Sequence, residues 1–140
     1  MTKFQQHLLN WKNCTACSLC NDRRNVVLFR GQLPCDVLFV GEGPSQSDDV
    51  LGSPFVGPAG QTLSGAFHMA GINRVKDVFL TNTVNVVPNP EPSYPRIGKP
   101  RTKDMLAERP RVMETIKVLL ARPHGLKAVV CFGKYAWVQI

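Results

Sequence analysis

The 140-residue chain carries 17 Lys and Arg against 10 Asp and Glu, a formal charge of +7, and is 44% apolar. That apolar content suffices for one domain with a hydrophobic core, and no apolar run approaches the roughly 18 to 20 residues of a membrane span. The N-terminus lacks the apolar block and cleavage site of a secretory signal. The protein is therefore expected in the cytoplasm, as a monomer, with its thiols reduced. A basic excess of this size favours a polyanionic partner, because neutralised phosphates release condensed counterions. The charge gathers at Arg23, Arg24 and Arg30, which read as a solvated loop face, and again at Arg96, Lys99, Arg101 and Lys103.

In chain order, "MTKFQQHLLNWKNC" has the spacing of an amphipathic helix and leads into Cys14, Cys17 and Cys20. "DVLFVG" (36–41) is a short β-branched and aromatic run, the pattern of a buried parallel strand. Residues 40–60, "VGEGPSQSDDVLGSPFVGPAG", then crowd five glycines and three prolines together, far more backbone freedom than a core segment needs. "GQTLSGAFHMA" (60–70) sets Leu63, Ala66, Phe67 and Ala70 three and four apart, as in a helix. "DVFLTN" (77–82) repeats the strand pattern and opens into a Pro-rich loop. Residues 102–121 are helical in pattern, with Thr102 as the cap and Pro110 as either a kink or the true start. "AVVCFG" (128–133) is the third strand, and "GKYAWVQI" begins another helix.

Alternating strands and helices predict an α/β fold, a three-layer sandwich around a central parallel sheet, as one domain over 1–140. Ligands in such sheets sit beyond the carboxyl ends of the strands. Here "GEGPS" and "TNTVNVVPNP" should share that rim. A domain of this kind ordinarily continues to another strand, so the last strand region is expected to be missing and the chain incomplete.

"CTAC", "VGEGPS", "GSPFVGPAG", "GI" and "FLTN", in this order and spacing, resemble the family 4 uracil-DNA glycosylases from about Cys14 to Ala136. The resemblance implies a protein that flips deoxyuridine from single- or double-stranded DNA and hydrolyses its N-glycosidic bond in base excision repair. Such an enzyme stacks the extruded base on an aromatic ring and reads its Watson–Crick edge. The Asn82 carboxamide would match the uracil N3–H donor and O4 acceptor and reject cytosine, whose pattern is inverted. Phe55 would be the stacking platform. Glu42, with the Gly41 and Gly43 backbone, would position water and stabilise the developing oxocarbenium charge. Gly57 and Gly60 would let backbone approach phosphate, Gly60 at a helix N-terminus, and Arg96, Lys99 and Arg101 would meet the DNA backbone. The plainer alternatives are a turn cap for Asn82, core packing for Phe55, a helix-start carboxylate for Glu42 and a solvated loop for the basic residues.

Three departures stand out. The resemblance implies a [4Fe–4S] cluster held by four cysteines, and Cys14 and Cys17 match its first pair. The third position is Val86, however, and no cysteine lies between Cys35 and Cys131. The two thiols therefore read as a relic pair. Cys20 with Cys35 or Cys131 is the alternative set, although Cys131 in mid-strand is more simply a small buried residue. Secondly, the family's His-Pro-Ser-like segment does not occur, and His7, His68 and His124 fall elsewhere. The chain as it stands is expected to be weak or inactive. Thirdly, Ser45 stands where glycine is frequent. The rival readings are a non-catalytic DNA-binding relative, of phage or replication origin, and a metal or redox protein built on Cys14, Cys17 and Cys20.

Overall fold

A computed structural model describes residues 1–21, 23–88 and 99–140. The elements are α1 (Lys3–Trp11), a 3₁₀ turn (Ser18–Asn21), β1 (Arg30–Gly31), β2 (Val37–Gly41), α2 (Gln46–Leu51), α3 (Pro58–Met69), β3 (Val78–Asn82), α4 (Thr102–Leu120), β4 (Ala128–Cys131) and α5 (Gly133–Gln139). The four strands form one sheet in the order β1-β3-β2-β4. β2 runs parallel to both β3 and β4, as the apolar runs predict. β1 is antiparallel to β3, so the sheet is mixed. A two-residue strand has no alternation to read. Gly31, at φ +134°, lies so close to β3 that a Cβ would sit 2.5 Å from the Val78 carbonyl oxygen.

Side-chain alternation along the strands builds two cores. Leu38, Val40 and Phe79 face Val112, Ile116 and Leu119 of α4 and Ala136 of α5, with Phe4 of α1 packed alongside. Phe39, Val78 and Leu80 face the opposite layer, where α3 supplies Phe67 and Leu63. Helices thus cover both faces, giving the expected three layers.

Several boundaries move. α3 starts at Pro58, which suits the first helical position because its missing N–H is unpaired there anyway. α4 is capped by Arg101 without a side-chain cap bond, and Thr102 is its first helical residue, not its cap. The helix passes through Pro110, which is exposed. α2 lies inside the supposed loop. Ser45 is its cap, accepting the Asp48 amide while the Asp48 carboxylate accepts the Ser45 amide. Cys131 ends β4 half-buried, rather than sitting buried in mid-strand.

The register has one consequence for function. Gly41 and Asn82, the last residues of β2 and β3, are paired neighbours, and the Thr83 amide donates to the Gly41 carbonyl at 2.9 Å. The two segments singled out above therefore leave the sheet side by side.

Candidate functional site

The site is organised around Gly41. A Cβ added there would lie 2.4 Å from Asn82 Oδ1 and 2.5 Å from Phe55 Cζ. Only hydrogen fits between the carboxamide and the ring. Asn82 is 2% exposed, and its buried Nδ2 has no hydrogen-bond partner among the described residues. Buried amides are nearly always paired, so an orphaned donor in this position marks either a ligand site or an ordered water. Phe55 is half-buried and meets Phe132 edge to face at 6.1 Å, which leaves part of its ring uncovered.

Phe55 is held from behind. Its φ of +58° is left-handed, a conformation that costs a bulky residue about 1 kcal/mol or more. Two groups fix it. Asp48 Oδ1 accepts the Val56 amide at 2.8 Å, and Arg74 Nη2 donates to the Phe55 carbonyl oxygen at 2.5 Å. Arg74 Nη1 also reaches the Gly60 carbonyl at 2.7 Å and the Ser64 hydroxyl. Burial, then the charge of Arg30, lowers the Arg74 pKa from its ordinary value. Gly60 allows the approach: a Cβ on it would overlap the Phe55 carbonyl oxygen at 1.8 Å. The backbone that Gly60 admits is thus that of Phe55. Gly57 is the cap residue of α3, where a Cβ would crowd Ser45 Oγ at 3.2 Å.

Glu42 faces a neighbouring cleft of about 340 Å³, lined with Gly43, Pro44, Ser45, Pro88, Lys99 and Pro100. The Thr83 hydroxyl donates to the Glu42 carbonyl and ties the first motif to the end of β3. Lys99 is exposed at the cleft edge. Arg101 is half-exposed and paired to Asp104 at 2.7 Å. Arg96 lies outside the described residues. None of the histidines enters the cleft lining: His68 and His124 are exposed, and His7 is buried between α1 and α4.

Behind Asn82 lies a group that sequence reasoning did not single out. Arg111, 1% exposed, donates from Nη2 to the Asn82 carbonyl at 2.7 Å and from Nε to Glu108 Oε2 at 2.7 Å. Arg74 and Asp48 were missed likewise. Ser45-x-x-Asp48 has the spacing of a helix-capping box, a legible signal, whereas nothing local marks Arg74 or Arg111.

The cysteines do not assemble. Among the described residues, no group of three or more His, Cys, Asp or Glu side chains is placed to hold a metal ion. Asp22 and residues 89–98, the remainder, contain no cysteine or histidine. Cys35 packs in the core beside Leu38, and Val86 is 1% exposed. The residues present do not fit a four-thiolate site.

The Gly41–Asn82–Phe55 convergence at the strand ends sits within a wider likeness. A model of the Uracil DNA glycosylase superfamily matches residues 29–140. The chain belongs to this superfamily. Among curated relatives, the type-4 uracil-DNA glycosylase of Thermotoga maritima is 44% identical over 86 residues, covering 57% of this chain and 44% of the relative. That of Pyrobaculum aerophilum is 38% identical over 111 residues, covering 79% and 53%. That of Saccharolobus solfataricus is 31% identical over 126 residues, covering 89% and 53%. The chain spans about half the length of these superfamily relatives. No helix among the described residues is long and apolar enough to cross a membrane.

Proposed function

We propose that this chain carries the base-binding site of a uracil-DNA glycosylase: it takes an extruded deoxyuridine from DNA and supports hydrolysis of its N-glycosidic bond. The observation that carries the reading is the buried, unpartnered Asn82 Nδ2 beside the Phe55 ring over Gly41. A uracil edge would supply the missing acceptor through O4 and donate N3–H to Asn82 Oδ1, while the half-buried Phe55 ring offers stacking. Glu42 and Gly43, in the adjoining cleft, with the Gly41 backbone beside them, take the water and the developing positive charge. Lys99 and Arg101, with Arg96, meet the phosphates, in keeping with the charge of +7. The setting is cytoplasmic base excision repair, with the single 1–140 domain acting as a monomer.

The test is release of uracil from a uracil-containing single-stranded oligonucleotide, run beside calorimetric titration of free uracil. Uracil binding that Asn82→Ala abolishes, with cleavage that Glu42→Gln lowers about 10²- to 10³-fold, is the expected result. Salt-sensitive DNA binding with neither uracil binding nor cleavage would favour the DNA-binding module instead.

A further inference from the structure

The region behind Asn82 is filled by a buried ion pair. Glu108 is fully buried and Arg111 is 1% exposed. The Arg111 fork is almost fully used: Nε to Glu108 Oε2 at 2.7 Å, Nη1 to Thr81 Oγ1 at 3.2 Å, Nη2 to the carbonyls of Asn82 at 2.7 Å and Thr83 at 3.3 Å. The second Glu108 oxygen faces Cys14, whose thiol reaches it at 3.8 Å. One continuous path therefore runs from the Cys14 segment through Glu108 and Arg111 to the last carbonyls of β3.

A cluster needs four thiolates, whereas the group beside the Cys14 thiol is the Glu108 carboxylate, whose charge Arg111 already balances. We infer that this chain holds its Cys14 segment and the Asn82 strand end together without an iron–sulfur cluster, through the Glu108–Arg111 pair. The pair thereby positions Asn82, a step that rests on the base-binding reading above. A buried pair survives its desolvation only when its hydrogen bonds are filled, as these are.

The test uses the full chain produced with iron and sulfide supplied and purified without oxygen. Expected are substoichiometric iron, no absorbance band near 400 nm, and a melting temperature that neither a chelator nor Cys17→Ser changes. About four irons per chain with a band lost in Cys17→Ser would overturn the inference. Glu108→Gln, which leaves Arg111 buried beside a neutral partner, should lower the melting temperature by roughly 10 to 20 °C. Should it fail to fold, the double change Glu108→Leu with Arg111→Met removes both charges and should fold, since no charge is left buried without a partner. That variant should bind free uracil at least about tenfold more weakly, and unchanged affinity would refute the positioning role. If the parent binds no uracil at all, the base-binding reading fails, while the iron and melting results still decide the cluster question.

Discussion

The Arg74 guanidinium donates to the carbonyl oxygen of Phe55, nineteen residues earlier, and holds that residue in its left-handed conformation. The same nitrogen fork grips the Gly60 carbonyl and the Ser64 hydroxyl, so the loop is pinned to the first turns of α3. Arg74→Ala should release Phe55 to an ordinary φ and swing the ring off Gly41. Hydrogen bonds from a charged donor contribute about 1.5 to 3 kcal/mol each, yet the relieved strain offsets part of that. The expected net loss is roughly 2 kcal/mol in urea denaturation, with weakened uracil binding. Arg74→Lys keeps the charge without the fork and should fall between the two.

Gly41 and Gly60 should respond differently to the same added methyl group. At Gly41 the clashing atoms are the ends of two side chains, Asn82 Oδ1 and Phe55 Cζ, which can turn away. Gly41→Ala should therefore fold with a modest loss and no uracil binding. At Gly60 the obstacle is the Phe55 backbone at 1.8 Å, already locked by Arg74. Gly60→Ala should lose at least about 3 kcal/mol. Paired denaturation curves and uracil titrations separate the two outcomes.

Asn82→Ala should part stability from function in the opposite direction. The side-chain nitrogen makes no hydrogen bond among the described residues, so its removal also takes away an unmet desolvation cost. Thermal stability should stay within about 1 kcal/mol of the parent or rise, while uracil affinity disappears. A large drop in melting temperature would show that the carboxamide serves the fold instead.

Much of this was legible in the residue order, and the reasons are local. β2, β3 and β4 fall within the predicted runs because strands covered on both faces read as continuous apolar stretches. Gly41, Phe55 and Asn82 stand out through the family resemblance of the motifs that carry them, with Phe55 in a Gly- and Pro-rich turn and Asn82 at a strand end. β1 was hidden because two residues, Arg30 and Gly31, carry no period. α2 was hidden because flanking glycines and prolines outweighed a six-residue helix. Arg74 and Arg111 act through backbone carbonyls 19 and 29 residues away, contacts that no local pattern encodes. The buried charge of Glu108 was equally invisible: on a helix it reads as a solvent-facing residue until α4 packs against the Cys14 segment.

Acid should loosen the seam between α1 and α4 before it reaches the site. His7 is buried, its Nε2 2.9 Å from the Thr115 hydroxyl and its Nδ1 3.3 Å from Glu114 Oε2. Burial lowers its pKa below the ordinary 6.5, against the upward pull of Glu114, with the Arg111 charge adding a smaller downward push. The folded protein thus prefers neutral His7, and as pH falls below 6.5 the unfolded chain takes up the proton first. Stability should decline from there, by at most about 1.4 kcal/mol per pH unit, and level off beneath the folded pKa. A second decline should begin below 4.5, where burial pushes the Glu114 carboxyl up but the Trp11 indole N–H at 2.6 Å and His7 pull it further down. His7→Gln should flatten the first step and, by removing one of the groups that hold the Glu114 pKa down, shrink the second. Urea midpoints measured from pH 8 to pH 4 check this, and a first step that survives in His7→Gln would assign it to another group.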